Sequence, residues 1–204
     1  MAHGEVELKV LQLVHGVLGG VVEPTPSWLL RPGIPECGDS WSLINRIYHN
    51  LTSMILPETM PIHERRRVDC VLKVDSSAPR IIEVDEKQHF NHYRARTLRL
   101  YSDAPLAFDP EVWIKHSEAR KRLETGGFGK PKPPLFPDDG GRHRQRAFRD
   151  ALCDIVPLSH GFAPTLRIAY FEVLDWLTSS DAAKRMKDLL DRKLLLSSKA
   201  KTTV

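Results

Sequence analysis

Apolar positions recur at helical spacing in the first quarter of the chain. Residues 5–18, EVELKVLQLVHGVL, place valines and leucines three or four positions apart, and two glycines follow directly. This spacing predicts an amphipathic helix that ends at the glycines. A second helix is predicted over residues 40–55, capped near Asp39 or Ser40, and the proline-rich segment between the two helices predicts a loop.

The middle of the chain carries a different pattern, typical of strands. Residues 65–74, RRRVDCVLKV, and residues 80–90, RIIEVDEKQHF, are rich in valine and isoleucine. They are separated by DSSAP, in which Asp, Ser and Pro all favour turns. The pattern therefore predicts a β-hairpin.

The remainder of the chain predicts mostly helices and one further strand. The predicted helices cover residues 93–101, 109–124 (with Asp109 as cap), 142–156 and 181–196, the strand begins at residue 165, and residues 125–141 form a Gly/Pro-rich loop. Alternation of helices, a hairpin and a late strand indicates an α/β (α+β) fold with a small mixed sheet and helices on both faces.

The length of 204 residues favours a single elaborated domain, residues 1–204. Within it we expect four parts. These are N-terminal helices (1–64), the hairpin (65–90), an insertion with the Gly/Pro loop (101–141), and a final part with a basic helix, a strand and a C-terminal helix (142–204).

Composition narrows the functional classes only slightly. A formal charge of +4 and a pI near 9.0 suit an anionic partner, but they also suit simple solubility. The cysteines are odd in number and widely spaced, which argues against a paired zinc or redox motif and favours a reducing cytoplasm. Because no run approaches the roughly 18 apolar residues of a membrane span, we expect a soluble protein without a leader or a membrane partner.

The second predicted strand concentrates polar chemistry on one side. Alternate side chains of a strand share a face, so Glu83 and Asp85 should lie opposite Ile82 and Val84. The hairpin would bring Asp69 alongside them. Clustered carboxylates repel one another and are costly to desolvate, so a hard divalent cation such as Mg²⁺, or Mn²⁺, would explain them.

Two further residues of the same strand extend this interpretation. Lys87 and His89 follow at alternate positions, if the strand stays regular, and could position or deprotonate a water near a phosphate. The competing interpretation is that these charges are the solvated face of an amphipathic strand, and spacing alone leaves both open.

An Asp on one strand followed by an acidic pair on the next resembles the PD-(D/E)xK nuclease superfamily. IIEVDEKQHF looks particularly similar to its very-short-patch-repair-endonuclease-like branch, in which an E-V-D-G-x-Q-H-F-type strand follows a V-D-F-type strand. RQRAFRDAL and TLRIAYFEV resemble the arginine-rich helix and the L-R-I strand that come later in that branch. Here glutamate stands in place of the glycine, and about fifty residues separate the two blocks.

The resemblance implies a restriction-endonuclease-like core and a Mg²⁺-dependent DNA endonuclease, in restriction, phage defence or repair. It also implies which residues form the site. Asp69, Glu83 and Asp85 would bind metal, and Lys87, Gln88 and His89 are candidates for the remaining catalytic positions. A glutamate of the first helix, or Glu36, would approach the metals, and a homodimer is implied as well.

Two registers of the motif remain open. In one, Glu83 and Asp85 are the acidic pair; in the other, Asp85 and Lys87 form the literal D-x-K, and both share Asp85. The alternative function is a catalytically inactive nucleic-acid-binding module of the same fold.

Basic residues predict where DNA would bind. They precede Asp69, lie in the Gly/Pro loop, or crowd the start of the basic helix: Arg65, Arg66, Arg67, Lys130, Arg142, Arg144, Arg146 and Arg149. Nearby aromatics, Trp113, Phe128 and Phe136, could stack on an unpaired base. Surface ion pairing with neighbouring acids is an equally open interpretation of the helix arginines.

Overall fold

A four-stranded mixed sheet organises the chain. The computed structural model describes residues 4–62, 64, 66–101, 104–120, 123 and 129–199, with side chains to residue 196. The strands are β1 (Val21–Glu23), β2 (Cys70–Lys73), β3 (Arg80–Asp85) and β4 (Ala163–Ala169), adjacent in that order. Neighbours β1 and β2, and β2 and β3, are antiparallel, whereas β3 and β4 are parallel.

Helices cover both faces of this sheet. Their bounds are α1 (Glu5–Leu18), α2 (Ser27–Leu30), α3 (Ile34–Cys37), α4 (Trp41–Thr52), α5 (His92–Leu98), α6 (Pro110–Ala119), α7 (Gly141–Ser159), α8 (Tyr170–Val173) and α9 (Ala182–Lys199). The small mixed sheet with helices on both faces confirms the predicted mixed class. None of the helices in the described part of the chain combines the length and apolar character needed to cross a membrane.

Alternate side chains of β3 pack against different helical layers on the two faces of the sheet. Ile82 and Val84 pack with Val10 and Val14 of α1 and with apolar residues of α9. Ile81 faces the other way, toward Cys153 of α7. Residues 83 and 85 share the orientation of residue 81, so the two acids of β3 lie on the α7 side.

Most predicted helices are confirmed, and α1 has the predicted bounds. It ends where Gly19 adopts a φ of 66° and donates its N–H to the carbonyl of His15, a conformation that glycine adopts without a Cβ penalty. The side chain of Asp109 accepts a hydrogen bond from the Glu111 N–H, so the predicted cap of α6 is also confirmed.

Two details of the predicted hairpin are wrong. The second strand ends at Asp85, and Lys87–His89 form a short 3₁₀ helix. The reason is that β4 ends opposite, since Asp85 pairs with Ala169 and α8 begins at the next residue. The first strand starts only at Cys70, because the N–H of Arg66 bonds instead to the Leu30 carbonyl.

The expected loop after α1 contains regular structure. It holds β1, which pairs with β2 as an edge strand, and the short helices α2 and α3. Part of the Gly/Pro loop, residues 125–128, lies outside the described residues. In the described part Leu135 and Phe136 are buried, and the Tyr48 hydroxyl donates to the Leu135 carbonyl at 2.7 Å, so this part is anchored on α4.

Candidate functional site

Three acids meet at one end of the β2–β3 hairpin. Because Cys70 pairs with Ile82, the preceding residue, Asp69, lies opposite Glu83. Asp69 Oδ2 accepts a hydrogen bond of 2.8 Å from the backbone N–H of Val84. Glu83 and Asp85 share the α7 side of β3 and are buried, with 5% and 0% of their surface exposed. The sequence-predicted acids are thus brought together.

Asp85 is bound by one cation and one neutral donor. Its Oδ1 accepts from the Arg167 guanidinium at 2.6 Å and its Oδ2 from the Trp113 indole N–H at 2.7 Å. Arg167 comes from β4 and is itself fully buried. Both carboxylate oxygens of Asp85 therefore have a strong donor, one of them charged.

Arg167 also pairs with two aspartates of α7. Its Nε donates to Asp154 at 2.6 Å, and a second nitrogen lies 3.5 Å from Asp150. Arg94 of α5 donates to the other oxygen of Asp154 at 2.8 Å. A buried charge costs several kcal/mol unless it is paired, so this cluster of aspartates and arginines is held together by mutual compensation.

Glu83 lies beside this cluster but is poorly compensated. The nearest guanidinium nitrogen of Arg66 is 3.9 Å away, and the Cys153 thiol donates at 3.4 Å. Burial, and next the charge of Asp69, raise the pKa of Glu83 to about 7, although Arg167 and Arg66 oppose this. Close to neutral pH, Glu83 is therefore partly protonated, and a cation nearby would favour its charged form.

Asp69 behaves in the same way. Desolvation raises the pKa of Asp69 to about 6, the Val84 hydrogen bond lowers it, and the charge of Glu7 raises it further. Asp69 keeps an exposed face, so solvent moderates this upshift. Glu7 is a residue of α1, so this charge acts on Asp69 from the first helix. Glu36 instead accepts a hydrogen bond from the Gly33 N–H.

The 3₁₀ helix places its three polar side chains differently from a continued strand. Lys87 is exposed, with its ammonium 5.8 Å above the Tyr170 ring. Gln88 donates to Glu86 at 2.6 Å. His89 turns inward, where its Nδ1 lies 3.1 Å from Asp150 and 3.5 Å from Asp85. Of the three, His89 makes contact with the acid cluster.

The His89–Asp150 contact defines the state of the imidazole. Burial lowers the pKa of His89, but the charge and hydrogen bond of Asp150 outweigh this and leave it raised. Burial likewise would raise the pKa of Asp150, yet His89 and Arg167 hold it well below its usual range. An ionised carboxylate only accepts, so Nδ1 carries a hydrogen in the neutral ring as well as in the imidazolium, and in the neutral ring Nε2 is the nitrogen that can accept.

Among the described residues, one group of three side chains brings potential metal ligands close together. Ligand atoms of Asp85, His89 and Asp150 lie within 4.8 Å of one another. A cation bound there would have to replace the Arg167 bonds to both aspartates. Asp69 and Glu83 have no such cation at hydrogen-bonding distance among the described contacts.

The predicted nucleic-acid-binding residues divide into exposed and engaged groups. Arg65 lies outside the described residues, and Arg67 and Lys130 are exposed. Arg66 is buried, with its guanidinium bonded to the Arg149 carbonyl and to the Cys153 sulfur. On α7, Arg142, Arg144, Arg146 and Arg149 are all half-buried.

The predicted base-stacking role is wrong for two of the three aromatics. Trp113 and Phe136 each expose only 1% of their surface, so neither offers a ring face to a base. Trp113 instead donates to Asp85. Phe128 lies outside the described residues.

Sequence reasoning missed Asp150, Asp154 and Arg167 as part of the acid cluster. The signal for the two aspartates was present, because they lie four residues apart on the apolar face of α7. Arg167 stands among apolar residues of β4, where a charge requires a partner. Neither pattern predicts which acidic residues pair with Arg167. Comparisons of the chain with protein-family models, curated proteins and solved structures found no match, so its function has to be argued from its own residues.

Proposed function

We propose that the chain is a metal-dependent DNA endonuclease of the restriction-endonuclease-like fold, which hydrolyses phosphodiester bonds. The observation that carries the proposal is the pair Asp69, directly before β2, and Glu83, opposite it on β3, whose pKa values are raised to about 6 and about 7. Asp85 and Asp154 accept hydrogen bonds of 2.6 Å from Arg167, whereas the arginine nearest to Glu83 is 3.9 Å away and Asp69 accepts a backbone N–H. An imbalance of this kind is typical of a site that receives a cation.

Asp69 and Glu83 would hold the ion, with Asp85 at the margin and Glu7 approaching from α1. Carboxylate oxygens are hard ligands that suit Mg²⁺ or Mn²⁺. A bound divalent cation would supply a Lewis acid that polarises a phosphoryl oxygen.

The protein's own groups would move the proton and orient the substrate. When His89 is neutral, its Nε2 can accept a proton from an attacking water, while Asp150 fixes the ring through Nδ1 and stabilises the imidazolium that forms. The exposed ammonium of Lys87 would contact a phosphate oxygen. These roles need no continuous strand beyond Asp85.

A catalytically inactive binding module of the same fold is the second candidate. It is favoured by one observation, the double hydrogen bonding of Asp85 to Arg167 and Trp113. An Asp85 held in this way is less available to a metal than an active D-x-K motif would require.

Incubation of the protein with plasmid and with single-stranded DNA, in Mg²⁺, Mn²⁺ or EDTA, separates the two candidates. The matched variants are Asp69→Asn and Asp188→Asn, because Asp188 is an exposed residue of α9. The nuclease predicts cutting that needs a divalent ion, is lost in Asp69→Asn and persists in Asp188→Asn. Salt-dependent DNA binding by folded protein, without cutting under any condition, would refute the nuclease and favour the binding module.

A further inference from the structure

Helix α7 carries a row of charged residues that leads away from the candidate site. Arg142, Arg146 and Asp150 follow one another at intervals of four residues, which on an α-helix is about 6 Å and about 40° per step. They therefore lie along one side of the helix. Asp150 contacts His89 at 3.1 Å, so the row begins at the candidate site and runs toward the N-terminal end of α7.

The two arginines of the row lie in a region of positive charge. Arg142 donates to Gln145 at 2.6 Å, and Gln145 in turn donates to Glu64 at 2.8 Å. Glu64 also pairs with Arg149 at 3.0 Å. Arg149 therefore pairs with Glu64 directly, whereas Arg142 is linked to it through Gln145.

The pKa shifts of Arg142 and His89 agree with this geometry. Burial lowers the pKa of Arg142, and the charges of Arg146 and Arg149 lower it further, with Glu64 opposing them. Arg146 also acts to lower the pKa of His89, which means that its charge reaches the candidate site. Arg146 is therefore the arginine of α7 that joins the positive region to His89.

Arg144 belongs to a different surface. At about 100° per residue, Arg144 lies roughly 160° around the helix from both Arg142 and Arg146. Its guanidinium lies 5.1 Å from the Tyr93 ring centre and donates to the Asp139 carbonyl at 2.9 Å. If α7 attracted nucleic acid only through its overall charge, its arginines would contribute about equally to binding. The row instead predicts a larger contribution from Arg142 and Arg146 than from Arg144.

We propose that Arg142 and Arg146 bind successive phosphates of one nucleic-acid strand and guide it along α7 to His89. The inference rests on the proposed function for the identity of the substrate. A guanidinium pairs with phosphate in a planar, two-point geometry, and phosphate contacts fix the register of a strand without reading its bases. The row therefore sets the path of the backbone and leaves sequence preference to other residues.

The test measures binding of a short fluorescent DNA strand, and of its duplex, by anisotropy between about 50 and 200 mM salt. EDTA prevents cleavage. Each phosphate contact that is lost makes the slope of log K against log salt shallower by about 0.7 for a single strand and about 0.9 for a duplex. Arg142→Gln and Arg146→Gln should each show that change, and Arg146→Lys, which keeps the charge, should restore most of the slope.

Matched substitutions complete the design. Arg185→Gln removes an exposed arginine of α9, which pairs with Asp181, and should leave the slope unchanged. Arg144→Gln should change it much less than Arg146→Gln does. Equal losses for Arg144→Gln and Arg146→Gln, an unchanged slope in both row variants, or no binding by the wild type would overturn the proposal.

The outcomes also separate the row from the hydrolysis. Binding with the predicted slopes but no cleavage in Mg²⁺ or Mn²⁺ would refute the nuclease and leave the row standing. Metal-dependent cleavage with unchanged slopes in the row variants would refute the row and leave the nuclease standing. Thermal unfolding of each variant identifies any loss that comes from misfolding.

Discussion

Glutamine in place of Glu83 removes a charge that the fold holds at a cost. The glutamate is 5% exposed, and burial with the nearby Asp69 charge raises its pKa from 4.5 to about 7. Below the lower value the carboxyl is protonated in both the folded and the unfolded chain. As the pH rises toward about 7, the unfolded chain loses the proton first, so Glu83 makes the wild type progressively less stable.

The size of this effect follows from the two pKa values. The change from 4.5 to about 7 corresponds to roughly 3 kcal/mol. Glutamine has no such ionisation and keeps nearly the same shape. The free energy of unfolding of Glu83→Gln, minus that of the wild type, should therefore increase by roughly 3 kcal/mol between about pH 4.5 and pH 8. For a chain of 204 residues this is about 6–12 °C in Tm.

Urea unfolding in EDTA, at several pH values, measures the difference directly. Other ionisable groups titrate in both proteins, so subtraction removes their contributions. Mn²⁺ added near pH 8 should stabilise the wild type, by about 2.7 kcal/mol at one hundred times its Kd, and should have little effect on the variant. Parallel stability profiles for the two proteins would refute the assignment of Glu83 as a poorly compensated buried acid.

Three further substitutions test the cluster and the proton transfer. Arg167→Gln should destabilise the fold by about 3–5 kcal/mol, because it leaves buried aspartates unpaired. The control Arg185→Gln, which removes an exposed ion pair, should change stability by less than about 1 kcal/mol. Urea unfolding measures both changes. Trp113→Phe removes the donor to Asp85 and should cost about 1–3 kcal/mol in the same assay; a cost near zero would contradict that bond. His89→Gln should slow metal-dependent cleavage by about 10²–10⁴-fold without a large fall in Tm, and an unchanged rate would remove His89 from the mechanism.

Much of the fold could be predicted because its elements have local signatures. The period of α1 and the glycines after it gave the helix bounds, and the turn-forming residues between β2 and β3 gave the hairpin. The edge strand β1 has only three residues, too few for an alternation to be recognised. The end of β3 also has no local signature, because alternation continues to His89 while its sheet partner β4 ends at Ala169.

The candidate site could be predicted only in part, for the same physical reason. The spacing of Glu83 and Asp85 on one strand is local, and the hairpin brings Asp69 to them. The pairing of Asp85 with Arg167 and Trp113 joins residues far apart in the chain. Such contacts depend on how the helices pack on the sheet, and no local period encodes them. The division of the acids into compensated and poorly compensated sets therefore emerged only from the structure.

Direct binding of Mn²⁺ tests most closely whether Asp69 and Glu83 form a cation site. The free ion can be counted by electron paramagnetic resonance near pH 8, for the wild type, Asp69→Asn, Glu83→Gln and the exposed control Asp188→Asn. We predict saturable binding by the wild type and the control, with binding weakened at least about tenfold in either site variant, which corresponds to about 1.4 kcal/mol. Equal Mn²⁺ affinity in all four proteins, or no saturable binding by the folded wild type, would contradict the central claim.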